Sequence, residues 1–524
     1  MIKTIIKREF LDNILSFKFI ACVLVAIILT VVSTVFLMSD YKARLMDFHA
    51  SVALNDENLK KVPVYSYLEL KVFKKPNPLS IFVSGIERET GTYADITHRD
   101  IPASLRGGSI KNDFSHMFSF FDLSSVVMII FTLLALLLSY NAISGEKEEG
   151  VLTLALANAV PRYKILLGKY LGILISLAVP LTLLFLVGIL IVLFSRDVEV
   201  NSSFIFTMAL FYGLSLLYLS SIALIGIFVS ARTRKSFTSL LVLLSFYLIT
   251  VFLLPLAVNS LAERQISLRT RYFERNLPSL AEEREKAAYQ SGEKILAPQT
   301  WWLPSLFSGN GQLLRRITPP EQLEFFKKTE PLREKLMEEY AVKINNLREI
   351  DDAAAARIRR WRNAVLAATP PANFLSIADL TAETGEETLL RFVSQLKMYW
   401  QSYVRYLDEK SAFGLKYVYP YPEEFTPQEK KLIERINKDY AENRPPGGEG
   451  STYSGKYLEE ALAVNPEIHY LDLTDLPAFV FPSQSVSEKA GAALPNILIM
   501  ITYNLVFLLL AHFSFNSYDP RREA

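Results

Sequence analysis

Hydrophobic and charged positions segregate into long blocks along this chain. Six stretches, 19–39, 124–144, 170–195, 203–231, 236–258 and 491–513, contain no Asp, Glu, Lys or Arg. Each exceeds the roughly 20 apolar residues that carry a helix across about 30 Å of hydrocarbon. Helices of a soluble core keep a polar stripe, and these do not. The pattern predicts six membrane spans.

Lys and Arg in the short flanks orient the spans. Lys3, Lys7, Arg8 and Lys18 fall on the same side as Lys147, Arg162, Lys164 and Lys169, as Arg232, Arg234 and Lys235, and as Arg521 and Arg522. The short loop between spans three and four offers only Arg196. Both termini are therefore expected in the cytoplasm, with 514–524 as a cytoplasmic tail. A cleaved signal peptide is the competing reading of span one. It fits poorly, because the apolar stretch is longer than the roughly 7–15 residues of a signal core and no small-x-small site follows. Ahead of span one, Ile2, Ile5, Ile6, Phe10, Asn13 and Phe17 fall near one helical face, with Lys3, Lys7, Arg8 and Asp12 mostly elsewhere. That pattern predicts a helix over 1–18 lying in the headgroup plane.

Two polar regions remain on the far side, 40–123 and 259–490. The second is large enough to bury a core of its own. Leu332, Leu336, Tyr340, Leu347, Ile350, Ala354, Ile358, Trp361 and Val365 recur at helical steps. This long helix is expected to stop at Pro370-Pro371. Phe392, Leu396, Tyr399, Tyr403 and Tyr406 mark a second helix, whose aromatic stripe reads as core packing, with a ligand surface as the alternative. Helical pattern also continues from span five through 261–286. Trp301-Trp302-Leu303-Pro304 suits either an outer-leaflet contact or burial, and Pro445-Pro446-Gly447-Gly448 reads as a loop.

A net charge of +2 implies no acidic partner, and no basic stripe suits nucleic acid. The single cysteine, Cys22, excludes an internal disulfide and reads as a small packed apolar residue. No phosphate-binding loop occurs. Gly145 and Gly150 have its glycine spacing, but Val151-Leu152 stand where Lys and Ser or Thr are required. The spans hold no ionisable group apart from His512, which argues against ion-coupled carriers and charge-ring channels. Asn496 and Asn504 are candidates for interhelical hydrogen bonds. His49, His98, His116 and His469 lie too far apart in sequence for metal-ligand spacing. The chain is therefore expected to be a non-catalytic subunit that binds no metal or cofactor itself.

The segment 145–169 joins spans two and three. Three carboxylates at its start are followed by an apolar patch, then by Pro161 and basic residues. Acids near the start of a short amphipathic helix suit its dipole. Glu146, Glu149-Gly150-Val151-Leu152, Pro161-Arg162 and Leu167-Gly168-Lys169 resemble the coupling region of ABC-2-type permeases, with Val151 where that pattern has Thr. Lys75-Pro76-Asn77-Pro78-Leu79-Ser80-Ile81-Phe82 with Gly85, Asp472-Leu473-Thr474-Asp475-Leu476-Pro477-Ala478-Phe479 and Phe515-Asn516-Ser517-Tyr518-Asp519-Pro520-Arg521 resemble the branch with a large insertion before the last span. That branch is similar to permeases of gliding-motility and copper-enzyme maturation systems.

The resemblance implies an all-α membrane protein with six ABC-2-type spans and a mainly helical extracytoplasmic domain between spans five and six. It implies an ATP-driven transporter, an exporter in direction, set in a bacterial inner or plasma membrane. ATP would be bound by a separate ABC ATPase, and a second permease copy or a homologous permease would complete the assembly. Glu146, Glu149, Gly150, Leu152, Pro161, Arg162, Gly168 and Lys169 are the residues expected to couple to the ATPase. The alternatives are a mechanotransmission subunit that moves its external domain without transport, or a membrane-anchored binding or structural protein.

Overall fold

The computed structural model describes residues 2–98, 100–107, 121–152, 161–195, 197–198, 200–293, 305–307, 313–316, 320–412, 427–442 and 470–518. Residues 153–160, Trp301–Pro304, Pro445–Gly448, His116 and His469 lie outside these. Six helices in the described residues are long and apolar enough to cross a membrane, and they coincide with the six uncharged stretches.

Helix α1 (Ile2–Ile14) precedes the first span, α2 (Phe17–Leu59), which continues well past residue 39 without a break. The second span, α3 (123–139), consists of Leu123–Val126, a π-helical Val127–Phe131 and Thr132–Ser139. The short α4 (Ser144–Glu148) follows it. Spans three and four are α5 (Arg162–Ser195) and α6 (Ser202–Arg232). Span five opens α7 (236–293), which passes through a second π segment, Leu248–Leu253, and runs on to Glu293. The last span is α12 (Val486–Asn516). We call the face that carries α1 and the end of α12 proximal, and the opposite face distal.

The distal side is mostly helical. Beyond β3 (Ser305–Phe307) and β4 (Leu313–Arg316) come α8 (Pro320–Ala367), α9 (Pro370–Ala382), α10 (Glu386–Glu409) and α11 (Pro427–Glu442). The aromatic stripe of α10 is buried against an antiparallel hairpin, β1 (Leu70–Phe73) with β2 (Tyr93–Ile96). It also packs on the return strap: Tyr399 Oη donates to the Pro477 carbonyl at 2.8 Å, and Phe479 and Phe481 flank Phe392. Core packing is thus what the stripe does. The hairpin itself carried no strand signal beyond four residues per strand.

Helices α7 and α8 lie side by side, with Tyr340 Oη donating to Glu283 at 3.2 Å. The packed face of α8 matches the expected stripe only in part, at Tyr340 and Ala354. Met337, Ala341, Ile344 and Ala355 are buried, whereas Leu347, Ile350 and Trp361 are exposed. Small alanines allow two helices to approach closely, and periodicity alone does not reveal that choice.

The largest departure from expectation is where α8 ends. Ala367 and α9 do not stay outside the bundle; they enter its distal half. Phe374 of α9 is fully buried, stacked on Tyr218 with 4.5 Å between ring centroids and on Phe211 at 6.1 Å. Tyr218 stands about 24 Å along α6 from its distal end, at 1.5 Å per residue. Asn373 donates to the Asn496 carbonyl at 2.9 Å, Asn496 donates to Ser376 at 2.9 Å, and Tyr503 donates to the Ala367 carbonyl at 2.9 Å. Pro370-Pro371 end one helix and start the next, since proline is excluded from a helix interior but suited to its first turn.

The distal rim is fastened by buried ion pairs. Asp40 accepts from Arg44 and Arg88, each at 2.9 Å, and Glu87 accepts from Lys74 at 3.1 Å. Asn77 Nδ2 donates to the Ala382 carbonyl at 2.7 Å, and Ile86 N to Thr384 at 2.9 Å. Gly85 permits this approach. It has φ +49°, and a Cβ there would meet the Thr384 carbonyl oxygen at 2.4 Å. Inside the bundle, Asn504 donates to the Leu217 carbonyl at 3.1 Å and accepts from Ser220, so both span-six asparagines bond to other helices.

Candidate coupling site

On the proximal face, helix ends expose backbone groups that need partners: carbonyls where a helix finishes, N–H groups where one starts. The segment after span two supplies many of them. Lys147 Nζ donates to the Ala231 carbonyl and, at 3.1 Å, to that of Thr233, closing the end of α6. Its ammonium also lies 4.8 Å from the Tyr518 ring centroid. The neighbouring Glu148 accepts from Ser236 N at 3.1 Å, at the start of α7. That backbone hydrogen bond holds the Glu148 carboxyl below its usual range. A cation at a helix C-terminus and a carboxylate at an N-terminus both match the helix dipole.

Arg162 performs the same task for the last span. Its Nη1 lies 3.0, 2.7 and 2.8 Å from the carbonyls of Phe515, Asn516 and Tyr518. Lys18, at the start of α2, donates to the Leu137 carbonyl of span two at 2.7 Å. Three spans that finish on this face thus each end on a cation from another element.

Lys169 is buried and lies between two carboxylates, 2.6 Å from Glu9 Oε1 and 2.9 Å from Glu146 Oε1. It joins α1, α4 and α5 at one point. Helix α1 is seated on α5 by a register of small residues. A Cβ on Gly168 would stand 2.7 Å from Ile5 Cγ2, and one on Gly172 would stand 2.6 Å from Glu9 Cβ. One turn further, Asn13 donates to Ser176 at 3.3 Å. Ile5, Glu9 and Asn13 therefore lie along Gly168, Gly172 and Ser176, a small-xxx-small approach. The face of α1 expected to lie on lipid is in part a face against protein, while Leu11, Leu15 and Phe17 remain exposed.

The sequence-derived candidates thus divide. Glu146, Arg162 and Lys169 hold the fold from inside, Gly168 provides close approach, Pro161 precedes α5, and Leu152 is buried in the bundle core. Glu149 and Gly150 are exposed, and Glu149 makes no ion pair among the described residues. Gly150 has φ +73° with open space around it, so it ends α4 by adopting a left-handed conformation. Lys147, Glu148, Glu9 and Gly172 were missed. Glu9 pairs with a residue 160 positions away, which no local pattern reports. Gly172 was detectable as the second member of Gly168-xxx-Gly172.

No curated protein matches this chain. The family model described as ABC-2 family transporter protein matches residues 3–274, from α1 through the six-span pattern's first five helices. Because that match covers more than half of the 524 residues and six helices are long and apolar enough to cross a membrane, the chain belongs to the ABC-2 transporter family, as a multi-pass membrane component of permease type.

Proposed function

We propose that this chain is the permease subunit of an ATP-driven ABC-2 exporter, and that a separate ABC ATPase grips the proximal segment 145–169 from the cytoplasm. One observation carries the reading. On either side of residues 153–160, the segment is bonded through Lys147, Glu148, Arg162 and Lys169 to the ends of α6, α7 and α12 and to α1. A push on it is delivered to four helices at once. The exposed Glu149-Gly150 turn is the place to push, because the neighbouring charges are already engaged within the fold.

ATP belongs to the partner, and two permease copies, or this chain with a homologue, would close around a common axis. The lipid bilayer is the remaining partner, and nucleic acid has no place. Both termini lie in the cytoplasm on this reading, which puts the Lys- and Arg-rich flanks inside. The test is co-purification with the ABC ATPase encoded nearby. Glu149→Lys should weaken assembly and ATP turnover while leaving the permease folded. Unchanged assembly and turnover would remove Glu149 from the contact.

A second reading is favoured by the continuity of α7. The helix that spans the membrane continues to Glu293 and pairs with α8, so proximal motion could be delivered to the distal domain without cargo crossing. Vectorial transport into vesicles would exclude it.

A further inference from the structure

We infer that Phe374, at the tip of the α8–α9 hairpin, is the distal gate of the route through this permease, and that span five opens it. The inference rests on the permease reading and adds to it the residue that closes the path and the helix that moves it.

The hairpin sits where a route would run. Helix α9 touches spans four and six and both π segments, Val127–Phe131 of span two and Leu248–Leu253 of span five. Phe374, Ile377 and Ala378 are buried among them. A π segment widens a helix locally and leaves carbonyls out of register. One of these, Ile129, accepts from Tyr247 of span five at 3.3 Å. Spans two and five thus meet directly beside the hairpin.

The seat of the tip is made for release. It consists of an aromatic stack and the three neutral hydrogen bonds from Asn373, Asn496 and Tyr503. By contrast, the end of α9 is fastened by charge: Glu383 pairs with Lys489 at 3.2 Å and with Arg391. On this reading the tip is the part that moves and the C-terminal end of α9 is the pivot.

A drive is also present. Span five begins at Ser236, bonded to Glu148 of the coupling segment. It reaches α9 through its π segment, and again through α8, which lies along its distal continuation. Displacement of the coupling segment therefore has a continuous helical path to the gate.

The full chain, with Cys22→Ser as background, is reconstituted into liposomes loaded with a self-quenching anionic dye. Wild type and Phe374→Leu should retain the dye, and Phe374→Ala with Ile377→Ala should release it at least tenfold faster. Release at the wild-type rate from a folded double variant would overturn the gate. If that variant does not fold, Ala378→Cys decides. This cysteine should be shielded from a membrane-impermeant maleimide at rest and become reactive when the complex with the ATPase hydrolyses ATP. Assembly and hydrolysis without any change in labelling would make α9 a fixed wedge and sink the gate while leaving the permease reading intact. Failure to assemble would count against the permease reading, and a cysteine already reactive in the permease alone would sink the gate.

Discussion

Arg162 closes the end of the last span by donating to the Asn516 carbonyl at 2.7 Å, across 354 positions of sequence. The guanidinium at the start of span three thus serves the C-terminus of span six, and the two helices end together on the proximal face. Replacing Arg162 by Ala should destabilise the fold by about 1–2 kcal/mol, the range for a cation at a helix C-terminus with charged hydrogen bonds. Lys, a point charge without the planar fork, should recover only part of this. Thermal unfolding in detergent, with proteolysis at the 514–518 end as a local readout, checks it.

Lys169 should be far more sensitive. It is buried between Glu9 and Glu146, so Lys169→Met would leave two carboxylates facing each other without a cation. Removing one partner of a buried pair costs about 3–5 kcal/mol. Adding Glu9→Gln to Lys169→Met should restore part of the loss, as seen in a double-mutant cycle of melting temperatures. Strict additivity would show that the three groups do not interact.

Glu149 and Glu146 look alike in sequence and should behave differently. Glu149→Lys changes an exposed side chain and should shift stability by no more than about 0.5 kcal/mol. Glu146→Lys places a cation against Lys169 and should lower stability as well as coupling. Parallel measurement of melting and of ATPase binding separates the two.

Gly172 tests how α1 is seated. Gly172→Leu introduces a Cβ 2.6 Å from Glu9 Cβ and 3.5 Å from the Ile6 carbonyl oxygen. Helix α1 should lift from α5, making residues 2–14 accessible to protease, while the six spans stay folded. Gly213→Leu, on α6 where nothing lies within 4 Å, is the control and should leave α1 protected.

Asp379 gives a pH dependence of known sign. It lies in the last turn of α9, close to Asp122 at the distal start of span two, and burial together with the Asp122 carboxylate pushes its carboxyl up to about 7. Its ordinary value is about 3.9. Because the folded-state value is raised, its full contribution to stability is present below about pH 4 and is lost as pH rises through about 7. The seat of α9 should therefore loosen between those limits, and Asp379→Asn should flatten that part of the profile. Melting curves of the two proteins from pH 4 to 8 provide the comparison; parallel profiles would remove Asp379 as the titrating group.

The six spans were readable because each is a local run. A run without Asp, Glu, Lys or Arg is its own evidence for a membrane, since a charge left in hydrocarbon is so costly. The motif beginning Phe515-Asn516-Ser517-Tyr518 was recognisable, but the bonding of three of its carbonyls to Arg162 was not. Helix α9 was hidden for a related reason. Its 13 residues are too few to span, and Pro370-Pro371-Ala372-Asn373-Phe374 suits a soluble core as well as a bundle interior.

What the sequence determined by itself is how often the chain crosses the bilayer, because transfer free energy adds up residue by residue along a helix. Only the tertiary structure decided that Lys169 joins three helices, that Arg162 closes a fourth, and that Phe374 returns into the bundle. Those outcomes depend on which backbone ends and ring faces come within a few ångströms of one another, and residues hundreds of positions apart leave no local mark of such meetings.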